Sequence, residues 1–326
     1  MDLRDVVTSP EPTAPSPVGE PSPLPARAAD AAISLEGVTR RQGSFALGPL
    51  DVVVPRGLVT GFVGPNGAGK TTTIRTILGM ASPDAGVIDV LGAPPGTRQD
   101  RLGVVLDTLA LAPGWTPLAA ARVLSRFYPA WNDVRMRDLL RRFEIPAETR
   151  VSDLSRGQRV KLGLALALAH DPELLVLDEP TSGLDPVARL DVLDVFREFM
   201  VDPTHTVLFS THVLSDLDRI ADRLVVICSG RIAFAGTPDA LAETYAMVRG
   251  ARDDLTPRAA ASLIGERLSP SGTFEGLIRT CDTALFPPSA LIESPALDEA
   301  VAAWTRNADS PAGAPPTAAA RPGEEH

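Results

Sequence analysis

The sequence predicts an α/β fold whose sheet is largely parallel at its centre. Three observations predict it. Short apolar runs of strand length alternate with stretches of helical spacing. One such run, residues 58–63, leads into the glycine-rich stretch 64–69 and then into a helix opening at Thr71. Another, residues 173–178, ends in the adjacent carboxylates Asp178 and Glu179.

The elements follow in order along the 326 residues. Residues 33–38 and 50–54 read as short strands separated by a turn. Residues 58–63 read as a buried strand and 71–78 as a helix. Within 116–144, Val123, Phe127, Leu139, Leu140 and Phe143 recur at helical spacing. Residues 155–169 read as a further helix, and 173–178, 206–210 and 223–227 as buried strands. After about residue 244 the pattern weakens. Residues 245–308 are expected to form a small accessory α+β unit. Residues 1–30 hold seven prolines and few large apolar side chains, so they cannot bury enough surface to offset their ordering entropy. They and the Pro/Ala-rich stretch 309–326 are expected to be disordered tails.

The stretch Gly64-Pro65-Asn66-Gly67-Ala68-Gly69-Lys70-Thr71 matches G-x-x-x-x-G-K-[ST] at every fixed position, between a strand and a helix. Its glycines let the backbone turn tightly and point N–H groups inward. The helix N-terminus, with Thr72 in its first turn, adds partial positive charge there. Lys70 is placed to reach a β- or γ-phosphate and the Thr71 hydroxyl a Mg²⁺ ion. Of the chain's 31 basic residues only Lys70 and Lys161 are lysines. A composition that prefers arginine keeps a compact ammonium at this position.

Asp178 and Glu179 stand directly after a buried strand, where two carboxylates are costly unless a cation or a reaction uses them. Asp178 is placed to hold Mg²⁺, and Glu179 to orient or deprotonate an attacking water. Ser155, in Leu154-Ser155-Arg156-Gly157-Gln158, opens a helix. It suits a plain N-cap, and the same geometry suits an anion site.

Composition limits the partners. The net charge of −10 argues against a nucleic-acid-binding surface. Cys228 and Cys281 match no metal spacing and read as thiols of a reducing cytosol. No stretch reaches the ~18–20 apolar residues that span a bilayer, and no charged-then-apolar leader is visible at the start. The protein is therefore expected in the cytoplasm.

Taken together, Gly64–Thr71, Leu154–Gln158, Leu177–Pro180, Ser182-Gly183-Leu184-Asp185 and Ser210-Thr211-His212 stand in the order and approximate spacing of five motifs of one family. The chain resembles an ATP-binding cassette (ABC) transporter ATPase subunit over roughly residues 32–244. The motifs look like its Walker A loop, signature, Walker B strand, D-loop and switch histidine. The resemblance implies a P-loop NTPase core over 31–244, with an antiparallel β subdomain and a helical subdomain at about 107–165. It implies that ATP and Mg²⁺ are bound between two subunits, identical or related. Gly64, Pro65, Asn66, Gly67, Ala68, Gly69, Lys70, Thr71, Thr72, Asp178, Asp107, Glu179 and His212 would come from one copy. Ser155, Gly157, Gln158 and Asp185 would come from the other. Catalysis would fall to Glu179, His212 and Lys70, and metal binding to Thr71, Asp178 and Asp107. A separate integral-membrane permease would hold the subunit at the inner face of the membrane. Residues 127–131, Asp107 and residues 165–170 resemble a bacterial exporter-type branch that includes the YtrB type.

Three positions depart from the family pattern. Arg156 replaces a glycine of the signature and is expected to face outward. Gln42 stands where an aromatic residue stacks on adenine, with Phe45 as a possible substitute. Asp107 stands where glutamine is usual. Two other readings stay open on sequence: a soluble ABC ATPase outside transport, and a regulator that only senses ATP. One cassette without a heptad run argues against the first, and intact Lys70, Asp178, Glu179 and His212 against the second.

Overall fold

A computed structural model describes residues 30–217 and 219–309. The Pro-rich ends expected to be disordered lie outside these, apart from Asp30 and Asp309. In chain order the elements begin with β1 (Ala31–Gln42), β2 (Phe45–Pro55), β3 (Val59–Val63), α1 (Lys70–Ile77), β4 (Ala85–Val90) and β5 (Leu102–Val105). Three helices follow: α2 (Pro117–Leu124), α3 (Asp133–Arg142) and α4 (Arg156–Leu168). The chain then returns to the sheet with β6 (Leu174–Asp178), α5 (Pro186–Phe199), β7 (Thr206–Thr211), the single turn α6 (Leu214–Leu217), β8 (Arg223–Cys228) and β9 (Arg231–Gly236). Last come α7 (Pro238–Thr244), β10 (Tyr245–Ala251), α8 (Pro257–Ser262), β11 (Ile264–Leu268), β12 (Thr273–Arg279), β13 (Leu291–Glu293) and α9 (Leu297–Asp309).

The central sheet has six strands in the order β5-β6-β7-β3-β8-β9, parallel except for β9. Its inner strands are buried on both faces, which is why they read as unbroken apolar runs. Side chains divide between the faces by strand parity. Leu175 and Leu177 of β6, Val207 and Phe209 of β7, and Leu224 and Val226 of β8 pack towards α2–α5. Leu174, Val176, Leu208, Val225 and Ile227 pack the other way, against Ile74 and Ile77 of α1 and the residues of β1 and β2. The carboxyl ends of β3, β6 and β7 are therefore neighbours, and the loops that leave them converge.

An antiparallel sheet, β2-β1-β4, lies across the second face. Its first hairpin is longer than the sequence pattern shows. β1 continues to Gln42 and pairs with Phe45 across the turn. Register shifts near Val38 break the alternation, so the polar residues Arg40, Arg41 and Gln42 extend the strand without an apolar face to announce it. The third sheet, β11-β12-β10-β13, is antiparallel throughout. One of its faces joins Tyr245, Met247 and Leu277 to Trp304 of α9 and Phe234 of β9, continuous with the main core. The other buries Val248, Phe274 and Ile278 against Phe286 and Ala259 of α8.

Candidate functional site

The glycine-rich loop leaves the centre of the sheet between β3 and α1. Backbone geometry explains its glycines. A side chain at Gly64 would place a Cβ 2.2 Å from the Ile227 carbonyl of β8. Gly69 caps α1 at φ 114, in the left-handed region, with no side-chain hydrogen bond to the helix. The N–H groups of the first turn thus face the loop without an intrahelical partner. Ala68 is buried, and its N–H donates to the Pro65 carbonyl at 3.2 Å.

Lys70 points back into the loop and is only 6 % exposed. Its ammonium donates to the carbonyls of Gly64 at 2.7 Å and Pro65 at 3.2 Å. The Glu179 carboxylate lies 3.3 Å away. Glu179 in turn accepts from His212 Nδ1 at 2.6 Å. The three groups that the sequence placed on separate strand ends thus form one chain of contacts, Lys70–Glu179–His212. Glu179 adopts φ 54, a conformation that costs a non-glycine residue of the order of 1 kcal/mol. It is held there by its N–H, which donates to the Ser210 carbonyl at 3.0 Å.

A cavity of about 660 Å³ opens beside this group. Asn66, Gly67, Gly69, Lys70, Thr71 and Thr72 form one wall. Asp107, Arg156, Glu179, Ser182 and His212 form the other, and Gln42 and Phe45 close one end. The Phe45 ring packs on the loop, with its Cζ 3.2 Å from where a Gly69 Cβ would stand. Arg156 is half exposed, as expected, and also borders the cavity. Its guanidinium lies along the cavity edge over Gly183, where no side chain stands in its way.

Asp178 does not line the cavity. It is 1 % exposed and accepts from the Ser210 hydroxyl at 2.6 Å. Ser210, quoted on sequence only as the start of the motif Ser210-Thr211-His212 and given no role there, contacts both acids. Ser155, Gly157, Gln158 and Asp185 form a second group that does not line the cavity. Ser155 and Gln158 cap α4 reciprocally, with bonds of 3.1 and 2.9 Å. Gly157 approaches Leu184 and Ala188. Asp185 caps α5, and the Ala188 and Val187 N–H groups hold its carboxyl below the ordinary aspartate range.

The residues fit a nucleotide with a hard divalent cation. The volume suits a small-molecule site. The buried ammonium, free helix N–H groups and glycine backbone offer donors to phosphate, and Thr71 and Asp107 offer oxygen ligands. Among the described residues no group of three or more His, Cys, Asp or Glu side chains could cage a metal.

Fold and site together define a nucleotide-dependent ATPase of the cassette type. Comparisons agree. The ABC transporter family model matches residues 47–182. The Nod factor export ATP-binding protein I of Cupriavidus pinatubonensis is 36 % identical over 267 residues, covering 77 % of this chain and 82 % of that protein. The protein of the same name from Rhizobium sp. (strain N33) is 38 % identical over 225 residues, 66 % of this chain and 73 % of that one. A solved ATP-binding subunit of an ABC transporter superposes with a TM-score of 0.60 at 28 % identity, covering 64 % of this chain and 91 % of its own. The chain belongs to the ABC transporter family, as its ATP-binding and ATP-hydrolysing subunit.

Proposed function

We propose that this chain hydrolyses MgATP in the cavity beside Lys70 and acts as one half of an ATPase dimer driving a separate membrane permease. The observation that carries the reading is the contact chain Lys70–Glu179–His212 at the mouth of a phosphate loop. In this reading Lys70 and the loop N–H groups bind the β- and γ-phosphates. Glu179 accepts the proton of the attacking water, with His212 holding the carboxylate in place. Mg²⁺, when bound, neutralises phosphate charge, and Thr71, Asp178 and Asp107 are the residues to hold it, Asp178 most simply through water.

Ser155, Gly157, Gln158 and Asp185 stand outside their own chain's cavity, which supports their use towards the ATP of a second subunit, identical or related. Closing and reopening such a pair turns the chemical step into a displacement. No described helix is long and apolar enough to cross a membrane; in this reading a permease chain provides the membrane path. The subunit would then sit on the cytoplasmic face of the membrane. Relatives named for Nod factor export support an export direction.

A Glu179→Gln variant tests the assignment. It should bind ATP, lose turnover by about 10²–10⁴-fold, the range for removing a general base, and accumulate as a closed dimer. Unchanged turnover would overturn the role of Glu179.

A further inference from the structure

Two departures from the family pattern, Asp107 and Arg156, prove to be one feature. The Arg156 guanidinium stands 3.6 Å from the Asp107 carboxylate. It also rests on Gly183, at φ 68, where a Cβ would be 2.9 Å from Cζ. Asp107 follows β5, where the chain leaves the sheet for α2 and α3. Arg156 is the first residue of α4, where the chain comes back, and α4 packs on β5 through Gly163 and Val105. The pair therefore joins the exit and the return of the whole helical excursion. Gly183 adds the loop that follows the strand bearing Asp178 and Glu179.

The pair also lies in the cavity wall, with Lys70 and Thr71 opposite. A carboxylate there, left alone, would repel an incoming polyphosphate. Lys70 does not neutralise it, since its ammonium is engaged by Glu179 and two carbonyls. Arg156 does. An aspartate in place of an uncharged glutamine and an arginine in place of glycine leave the charge of the wall unchanged.

We propose that Arg156 is a positioning residue for ATP hydrolysis, acting through Asp107. It neutralises that carboxylate in the wall of its own chain's cavity and fixes the two ends of the helical excursion to each other. The inference rests on the proposed placement of ATP beside Lys70.

The test uses the full chain with Arg156→Gln, Asp107→Asn and the reciprocal exchange Asp107→Arg with Arg156→Asp. Without nucleotide, hydrogen exchange at residues 107–118 and 152–158 should be faster in both single variants and return to the wild-type rate in the exchange. In hydrolysis, Arg156→Gln should raise KM for MgATP by about two- to fivefold, the range for one exposed ion pair, with kcat little changed. Unchanged exchange in both singles, or a reciprocal variant that exchanges no more slowly than they do, overturns the pairing. Altered exchange with an unchanged KM overturns the positioning role. Failure of the reading it rests on looks different: Glu179→Gln would then hydrolyse ATP like the wild type.

Discussion

Removing one hydroxyl at Ser210 should cost this fold more than its size suggests. Ser210 is fully buried in β7, and its Oγ donates to Asp178 at 2.6 Å. Asp178 is itself 1 % exposed, so the lost donor is not replaced by solvent. Hydrogen bonds to charged groups contribute about 1.5–3 kcal/mol, and stranding the partner tends to the upper end. Ser210→Ala should therefore lower the unfolding free energy by about 2–3 kcal/mol, read from the midpoint of a urea titration at unchanged slope. Ser210→Cys keeps a similar volume but offers only a weak donor, and should fall between the two. A loss below about 0.5 kcal/mol for Ser210→Ala, a typical surface effect, would refute the reasoning, as would equal losses for the two variants.

Other substitutions probe neighbouring parts of the frame. Gly64→Ala forces a Cβ to within 2.2 Å of a backbone carbonyl, so strand β8 or the loop must move. The expected loss is about 1–3 kcal/mol together with weaker binding of a fluorescent ATP analogue, and full retention of both would contradict the close approach. His170 is buried, bonds the Leu102 carbonyl at 3.0 Å through Nε2 and stacks on Tyr128 with centroids 4.0 Å apart. Burial pushes its pKa below the ordinary 6.5, so the unfolded chain takes up the proton first as pH falls. Its neutral-state stabilisation is complete above that ordinary value and is lost as pH drops towards the folded one. The stability advantage of wild type over His170→Gln should thus narrow between about pH 7.5 and 5.5, and a constant gap would argue against a lowered pKa.

What the sequence discloses depends on whether the information is contiguous. The phosphate loop is legible because its seven-residue spacing, its preceding strand and its following helix lie side by side in the chain. The acids at 178 and 179 are legible because an apolar run stops at them. That Asp178 stays out of the cavity lining is not, since it depends on a serine 32 residues later in the chain but adjacent in the sheet, paired at Asp178↔Ser210. The place of Arg156 beside the cavity is hidden for the same reason. Its place is decided by Gly183 and by the packing of α4 on β5, contacts that no local pattern encodes. The tip of the first hairpin is missed differently. Arg40, Arg41 and Gln42 owe their extended backbone to cross-strand pairing with β2, and their side chains carry no strand signal.

The chain's preference for arginine has a chemical consequence at the phosphate loop. Its two side-chain amines are Lys70 and Lys161, and Lys161 is 15 % exposed and tied to Asp191 at 2.7 Å. Guanidinium groups do not react with acylating esters under conditions that modify amines. Almost the whole surface is therefore silent to such reagents, and Lys70, reached only through the cavity, is a built-in chemical reporter. Its rate of acylation gauges how open the loop stands at any moment, on a background of one other lysine and the α-amino group.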